Sequence, residues 1–307
     1  MLERLRHPFV FYSLILLMVL SWSFNFVIGK ITLRYIDPFT LTSFRIILSA
    51  LAMLPVYIAM PERSRLNRKD LWNFIVLGFF GMLINRGLFT IGLDYTTAGH
   101  SALIVAAGPI LILVLAQMHG LEGTTWQKIT GMTLCVIGVT VLVGGDDLHL
   151  HGKAWAGDLI TLGGTIGFAI YTVLAKKVAR QYDTISMNTF CNLAGAILVL
   201  PLALRQSVHL QWSSVGWVGW AGLAYMVLIS SVAAYLIYFW ALRYVNATRL
   251  ATFTYIEPPL ATLLGVILLG EKLTNLLLLG GGLILAGVYL AEFAMSSAEA
   301  PPDTAGA

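Results

Sequence analysis

Apolar runs recur along the whole chain, each broken by a short stretch that holds charge, glycine or proline. A helix needs about 20 apolar residues to cross roughly 30 Å of hydrocarbon. By that measure the pattern predicts ten spans, over residues 9–29, 38–60, 71–92, 98–118, 126–145, 155–175, 184–204, 215–240, 248–270 and 274–293. The breaks are too short for a soluble domain and carry most of the charges. Trp72, Trp126, Trp155 and Trp212 fall near span ends, where interfacial aromatic rings belong. The first run, "MLERLRHPFVFYSLILLMVLSWSF", begins like a signal peptide but lacks a small-x-small cleavage site, so it reads as a retained span. The Ala/Pro-rich stretch from Ser296 to Ala307 reads as a disordered cytoplasmic tail.

Composition sharpens this picture. Of 307 residues, 58% are hydrophobic and only 11% charged, where a soluble domain carries about 25% charged residues. There is too little polar surface to cover a water-exposed globule, and the bilayer is the natural solvent. The net charge of +4 comes from basic residues in short loops, without the interleaved aromatics of a nucleic-acid surface. Cys135 and Cys191 lie in apolar runs without metal-ligand spacing and read as small core residues. No P-loop, HExxH motif or nucleophile elbow is present, so neither an enzyme nor direct use of ATP is expected. "DDLHLH" before Gly152 reads as a solvated turn rather than a metal site. No cofactor and no metal are expected.

An even number of spans puts both termini on one side. With the N-terminus inside, Arg4, Arg6, Arg63, Arg65, Arg68, Lys69, Lys128, Lys176, Lys177, Arg180, Arg243 and Arg249 are cytoplasmic, against Lys30, Arg34, Lys153, Arg205 and Lys272 opposite. The bias favours cytoplasmic termini.

The second half echoes the first. At an offset of 146, Lys30, Arg34, Asp37, Phe44, Ala50 and Pro55 match Lys176, Arg180, Asp183, Phe190, Ala196 and Pro201. At an offset of 149, Tyr95, Ala98, Pro109, Glu122, Thr125, Gly131 and Gly138 match Tyr244, Ala247, Pro258, Glu271, Thr274, Gly280 and Gly287. Residues 1–150 and 151–295 thus form two five-span halves. Five is odd, so the second copy enters the membrane from the opposite side. Such inverted repeats are a signature of secondary transporters, in which one half rocks against the other around a central site. The expected fold is an all-α polytopic membrane protein of ten transmembrane helices in two inverted five-helix repeats.

The segment "P…LLG…LGEKLT…GGGLILAGVYL" from Pro258 to Leu290, its weaker first copy "GPILILVLAQMHGLEGTTWQKITGMTLCVIGV", and "LSWSFNFVIGK" in the first span resemble the drug/metabolite transporter superfamily, in its EamA-like branch. Within that branch the chain is most similar to the bacterial aromatic amino-acid exporters of YddG type. The resemblance implies a multi-pass protein of the bacterial inner membrane that exports small metabolites, most simply amino acids. It also implies a central cavity lined by spans 1–4 and 6–9, with spans 5 and 10 peripheral. The alternative is broad efflux of cationic drugs by proton antiport.

Within the spans, ionisable and amide groups are the site candidates, because such groups in a bilayer face protein or water. Glu257 precedes two prolines, deep enough to bind a substrate ammonium, carry a proton in exchange, or pair with an arginine. Arg86 is its natural partner, or else the holder of a substrate carboxylate. Arg45 lies nearer an interface, within snorkelling reach, and is left out of the site. Asn25 and Trp22 share a helix face; Asn85 adjoins Arg86; Ser101, Tyr171, Tyr235, Tyr238 and Tyr255 complete the polar and aromatic set. Each tyrosine or tryptophan has a packing role as its alternative. Pro109 and Pro258 recur at equivalent places, as hinges or as static kinks. Glu122 and Glu271 sit at span junctions, where each would cap the following helix. The small residues Gly280, Gly287 and Ala291 suit close packing inside the chain, or a weak homodimer through spans 5 and 10; otherwise the protein is a monomer.

Overall fold

The computed structural model describes residues 8–61, 63–118, 125–144, 153–178, 181–209, 212–241 and 253–298. Its helices are α1 (Pro8–Thr32), α2 (Pro38–Ala59), α3 (Arg68–Tyr95), α4 (Ala98–Ala106 and Gly108–Met118), α5 (Trp126–Gly144), α6 (Lys153–Val178), α7 (Thr184–His209), α8 (216–241), α9 (Glu257–Leu269) and α10 (Asn275–Ala298). Eight of them, α1 to α8, are long and apolar enough to cross a membrane; Glu257–Leu269 and Asn275–Leu290 are shorter apolar stretches. No strand occurs among the described residues. The last helix runs through Ala298, so Ser296–Ala298 are helical rather than tail, and residues 299–307 lie outside the described ones.

Helix starts follow from local chemistry. Asp37 Oδ1 accepts from the Phe39 and Thr40 amides at 3.1 and 3.0 Å, and Pro38 supplies a first residue with no amide to satisfy. Asp183, its counterpart in the second half, accepts from Ser186 N at 2.9 Å and Ser186 Oγ at 2.5 Å, and from Ser64 N at 2.8 Å. Partial burial works against this carboxylate, yet the hydrogen bonds from Ser186 and Ser64 prevail and hold its pKa down at about 2. The same contacts tie the α2–α3 loop to the α6–α7 loop. There Tyr182 Oη donates to Asp70 at 2.8 Å and accepts from Asn67 N at 3.1 Å.

Other charges satisfy helix ends at a distance. Lys30 of α1 donates to the carbonyls of Leu93, Asp94 and Thr96 at the end of α3. Glu271 accepts from the Ala98 and Gly99 amides at 2.7 and 3.2 Å. The expected chemistry is present, but the helix that Glu271 caps is α4, not the following α10, which Thr274 caps instead. Glu122 lies outside the described residues.

The prolines also sit differently from a mid-helix kink. α4 breaks at Ala107, and Pro109 is the second residue of the resumed helix. α9 starts at Glu257 with Pro258 in its first turn. A proline there costs no hydrogen bond, so both mark helix restarts.

Three stretches wind more loosely, as π-helix: Phe79–Ile84 in α3, Tyr225–Ala233 in α8 and Gly265–Leu269 in α9. Along α5 and α10 the backbones nearly touch. A Cβ added at Gly138 would lie 2.7 Å from the Gly280 oxygen, and one at Gly287 would lie 2.5 Å from the Gly131 oxygen. The small-residue face of α10 is thus consumed inside the chain.

The distribution of side chains is that of a lipid-facing bundle. Phe9, Leu51, Ile58, Ile197, Leu204, Leu263, Ile267 and Leu278 are exposed, while Arg45, Arg86, Asn25, Asn188, Asn192, Ser230 and Ser231 are buried. Polar groups turned inward and apolar groups outward are what hydrocarbon demands.

Candidate functional site

The buried polar groups converge where α1, α2, α3, α7 and α8 meet. In α3 the π-turn ends at Ile84, and Arg86 follows it. Such a turn rotates every later side chain relative to a regular helix. Arg86 Nη1 donates to Asn192 Oδ1 of α7 at 3.1 Å, and Asn192 Nδ2 donates to Asn188 Oδ1 at 2.8 Å. The Arg86 guanidinium lies 5.7 Å from the centroid of the Tyr235 ring in α8, within cation–π range.

Aromatic rings form the adjoining wall. Trp22 of α1 meets Tyr235 edge-on at 5.3 Å and Tyr238 at 5.6 Å, and its Nε1 donates to the Ser230 carbonyl at 3.2 Å. That carbonyl belongs to the π-stretch of α8. Tyr171 of α6 is buried against Gly81, in the α3 π-turn, where an added Cβ would meet its ring at 2.4 Å.

Arg45 is the correction. It was expected to reach an interface, yet it is 5% exposed, and its Nε donates to Ser231 Oγ at 3.0 Å while Nη2 lies 3.4 Å from Ser230 Oγ. It stands seven residues into α2, roughly 10 Å at 1.5 Å per residue. Its helix face turns to α8, not to headgroups. Asn188, Asn192, Ser230 and Ser231 were also missed. A readable signal existed: Thr42, Arg45 and Ser49 recur at helical spacing on an apolar span, and Asn188 and Asn192 stand four apart.

Of the expected site residues, Trp22, Arg86, Tyr235 and Tyr238 come together, with Tyr171 beside the turn that precedes Arg86. Asn25 is buried three residues from Trp22, and its Oδ1 has no hydrogen-bond partner among the described residues. Asn85 turns away and donates to the Gly164 carbonyl of α6 at 3.1 Å. Ser101 is fully buried in α4. Tyr255 packs against the α4–α5–α10 core. Glu257 heads α9, near Tyr238, with its Oε1 enclosed and without a partner among the described residues. Arg86 and Glu257 do not pair; elsewhere His100 Nδ1 lies 3.0 Å from Asp158 Oδ2.

The arrangement offers guanidinium, amide and hydroxyl donors beside a wall of rings. The model of the EamA-like transporter family matches residues 10–144 and again 155–293. The chain belongs to the EamA-like transporter family. Its relatives include an uncharacterized transporter of Archaeoglobus fulgidus, 26% identical, the match covering 89% of this chain and 95% of that one. Another is the uncharacterized transporter YyaM of Bacillus subtilis, 27% identical over 87% and 88% of the two chains. A probable terminal-alkyne amino-acid exporter of Streptantibioticus cattleyicolor is 26% identical over 78% of each. A solved crystal structure superimposes with a TM-score of 0.64 at 18% identity, covering 96% of this chain and all of that one, and so shares the fold. As an EamA-like transporter the protein is a multi-span membrane transporter of a small-molecule substrate, not an enzyme.

Proposed function

We propose that this transporter exports amino acids, bulky, aromatic or neutral, from the cytoplasm across the bacterial inner membrane. It works by alternating access at the cluster between two inverted five-helix halves, with both termini cytoplasmic. The observation that carries the substrate reading is the meeting of Arg86 with Trp22, Tyr235 and Tyr238: a guanidinium suited to a carboxylate beside rings suited to a large side chain. The amino-acid exporter among the relatives supports the same class.

Several contacts support the repeat. In a pseudo-two-fold arrangement equivalent residues meet at the axis, and contacts come in reciprocal pairs. Arg86 and Tyr235 occupy equivalent positions and touch. Gly131 is the equivalent of Gly280, and Gly138 of Gly287; Gly138 approaches Gly280, and Gly287 approaches Gly131. The π-stretches of α3 and α8 begin at equivalent positions, Phe79 and Tyr225. The family model matches each half separately. Pro109 and Pro258 serve as hinges in this scheme, since each stands at a helix restart.

The partnerless Oε1 of Glu257 favours a second reading, proton antiport, with cationic drugs as its extreme form. Uptake by purified protein in liposomes tests both, with radiolabelled phenylalanine, threonine and methionine and with or without a pH gradient. Saturable flux supports amino-acid transport; no flux of any of the three turns the assignment towards cations.

A further inference from the structure

Two arginines, not one, stand at the candidate site. Arg45 and Arg86 are 5% and 4% exposed, and neither forms an ion pair with a carboxylate among the described residues. They converge on one stretch of α8: Arg45 on the hydroxyls of Ser230 and Ser231, Arg86 on the ring of Tyr235 one turn further along.

Their partners are all neutral. Arg86 Nη1 is used by Asn192, while Arg86 Nη2 is enclosed and donates to nothing among the described residues. The same holds for Asn188 Nδ2, whose Oδ1 accepts from Asn192. On α2, the hydroxyls of Thr42 and Ser49 flank Arg45 at helical spacing and are enclosed without partners too. Thr42 packs on Gly87 of α3. Buried guanidinium groups that serve structure alone are met by carboxylates or carbonyls, because an uncompensated charge in low dielectric is strongly unfavourable. Around the two guanidinium groups positive charge is in excess, and among the described residues no carboxylate pairs with either. A group that compensates it has the chemistry of an anion.

We propose that Arg45 and Arg86 form the seat of a substrate carboxylate, with Arg86 Nη2 as direct donor and Arg45 as the second positive charge. This rests on the transport reading above and narrows its substrate class. The transported species must carry a carboxylate, as an organic acid or an amino acid, and an amine without a carboxylate is excluded by the two guanidinium charges. A planar carboxylate matches the guanidinium fork, and the rings of Tyr235 and Trp22 stand beside it for the remainder of the molecule.

The test uses the full chain purified into nanodiscs, with ligand-induced thermal stabilisation as one readout and liposome uptake as the other. The probes are L-phenylalanine, 3-phenylpropionate, 2-phenylethylamine, succinate and inorganic phosphate. The wild type is expected to be stabilised by the carboxylates and not by 2-phenylethylamine. Arg86→Gln and Arg45→Gln should each weaken carboxylate binding on the order of 30-fold or more, as loss of a buried charge partner does. Arg86→Lys should recover part of the loss, since it restores charge without the fork. Without ligand, Arg45→Gln should melt no lower than the wild type, because it removes an uncompensated charge; a merely structural arginine would give a lower melting temperature.

Stabilisation by 2-phenylethylamine or phosphate but not by carboxylates would overturn the proposal, and so would silence from every carboxylate. Phenylalanine uptake that is equal in wild type, Arg45→Gln and Arg86→Gln removes the seat and leaves amino-acid transport standing. Arginine-dependent binding of 3-phenylpropionate or succinate without phenylalanine uptake does the reverse.

Discussion

Glu257 and Trp22 each carry a test at the level of a single side chain. Glu257 begins α9 with Oε1 enclosed and no donor to meet it among the described residues. Glu257→Gln keeps the shape and removes the ionisable group. If the residue carries a proton against substrate, this variant should still bind phenylalanine but lose the effect of a pH gradient on uptake; unchanged gradient dependence assigns Glu257 to structure. Trp22 packs on Tyr235 and Tyr238 and donates to the Ser230 carbonyl. Trp22→Ala should weaken phenylalanine binding more than threonine binding and lower stability by about 3–5 kcal/mol, measured by thermal melting with and without each ligand. Arg86, Trp22, Tyr235 and Tyr238 were legible in the sequence because charge and rings inside an apolar run demand an account. Arg45 was misjudged because its distance from a helix end permits snorkelling, and only the packing of α2 on α8 closes that route. Tyr255 takes the packing alternative, against the α4–α5–α10 core.

Elements depend on contacts between loops and between backbones. The Asp183 carboxylate is held at about pH 2 by Ser186 and Ser64, below its ordinary value near 3.8. A depressed acid stabilises the fold above its unfolded pKa and loses that contribution as pH falls through the folded one. The latch between the α2–α3 and α6–α7 loops should therefore weaken between about pH 4 and pH 2. Asp183→Ala should abolish that dependence and cost about 0.5–2 kcal/mol at neutral pH, followed by thermal melting across pH. At the α5–α10 seam, Gly287→Val would drive a side chain into the Gly131 carbonyl. Helix separation of that kind costs about 1–3 kcal/mol, read as a lower melting temperature, whereas Gly282→Ala, with nothing near its added Cβ, should be silent. Helix positions were largely legible from apolar run length. The π-stretches were not, since apolar run length does not distinguish a π-turn from regular helix. The placement of Pro109 and Pro258 at helix restarts was not legible either, because a restart and an interior kink have the same local composition.

At the scale of the molecule, matched residues of the two halves were visible in the sequence, but which of them would touch was not. Gly138 approaches Gly280, Gly287 approaches Gly131, and Arg86 lies against the Tyr235 ring, as the proposed inverted repeat would require. Substrate identity was less legible, because the proposed recognition site draws on five helices and several of its polar groups, among them Asn188, Asn192, Ser230 and Ser231, resemble ordinary polar residues in the chain. The central claim is amino-acid transport by alternating access, and counterflow tests it most directly. Liposomes containing the purified protein are loaded with unlabelled phenylalanine and diluted into a trace of labelled phenylalanine. Alternating access around the cluster predicts a transient accumulation of label that saturates and collapses in Arg86→Gln. Accumulation no greater than in protein-free liposomes, with the protein verified as folded, contradicts the account.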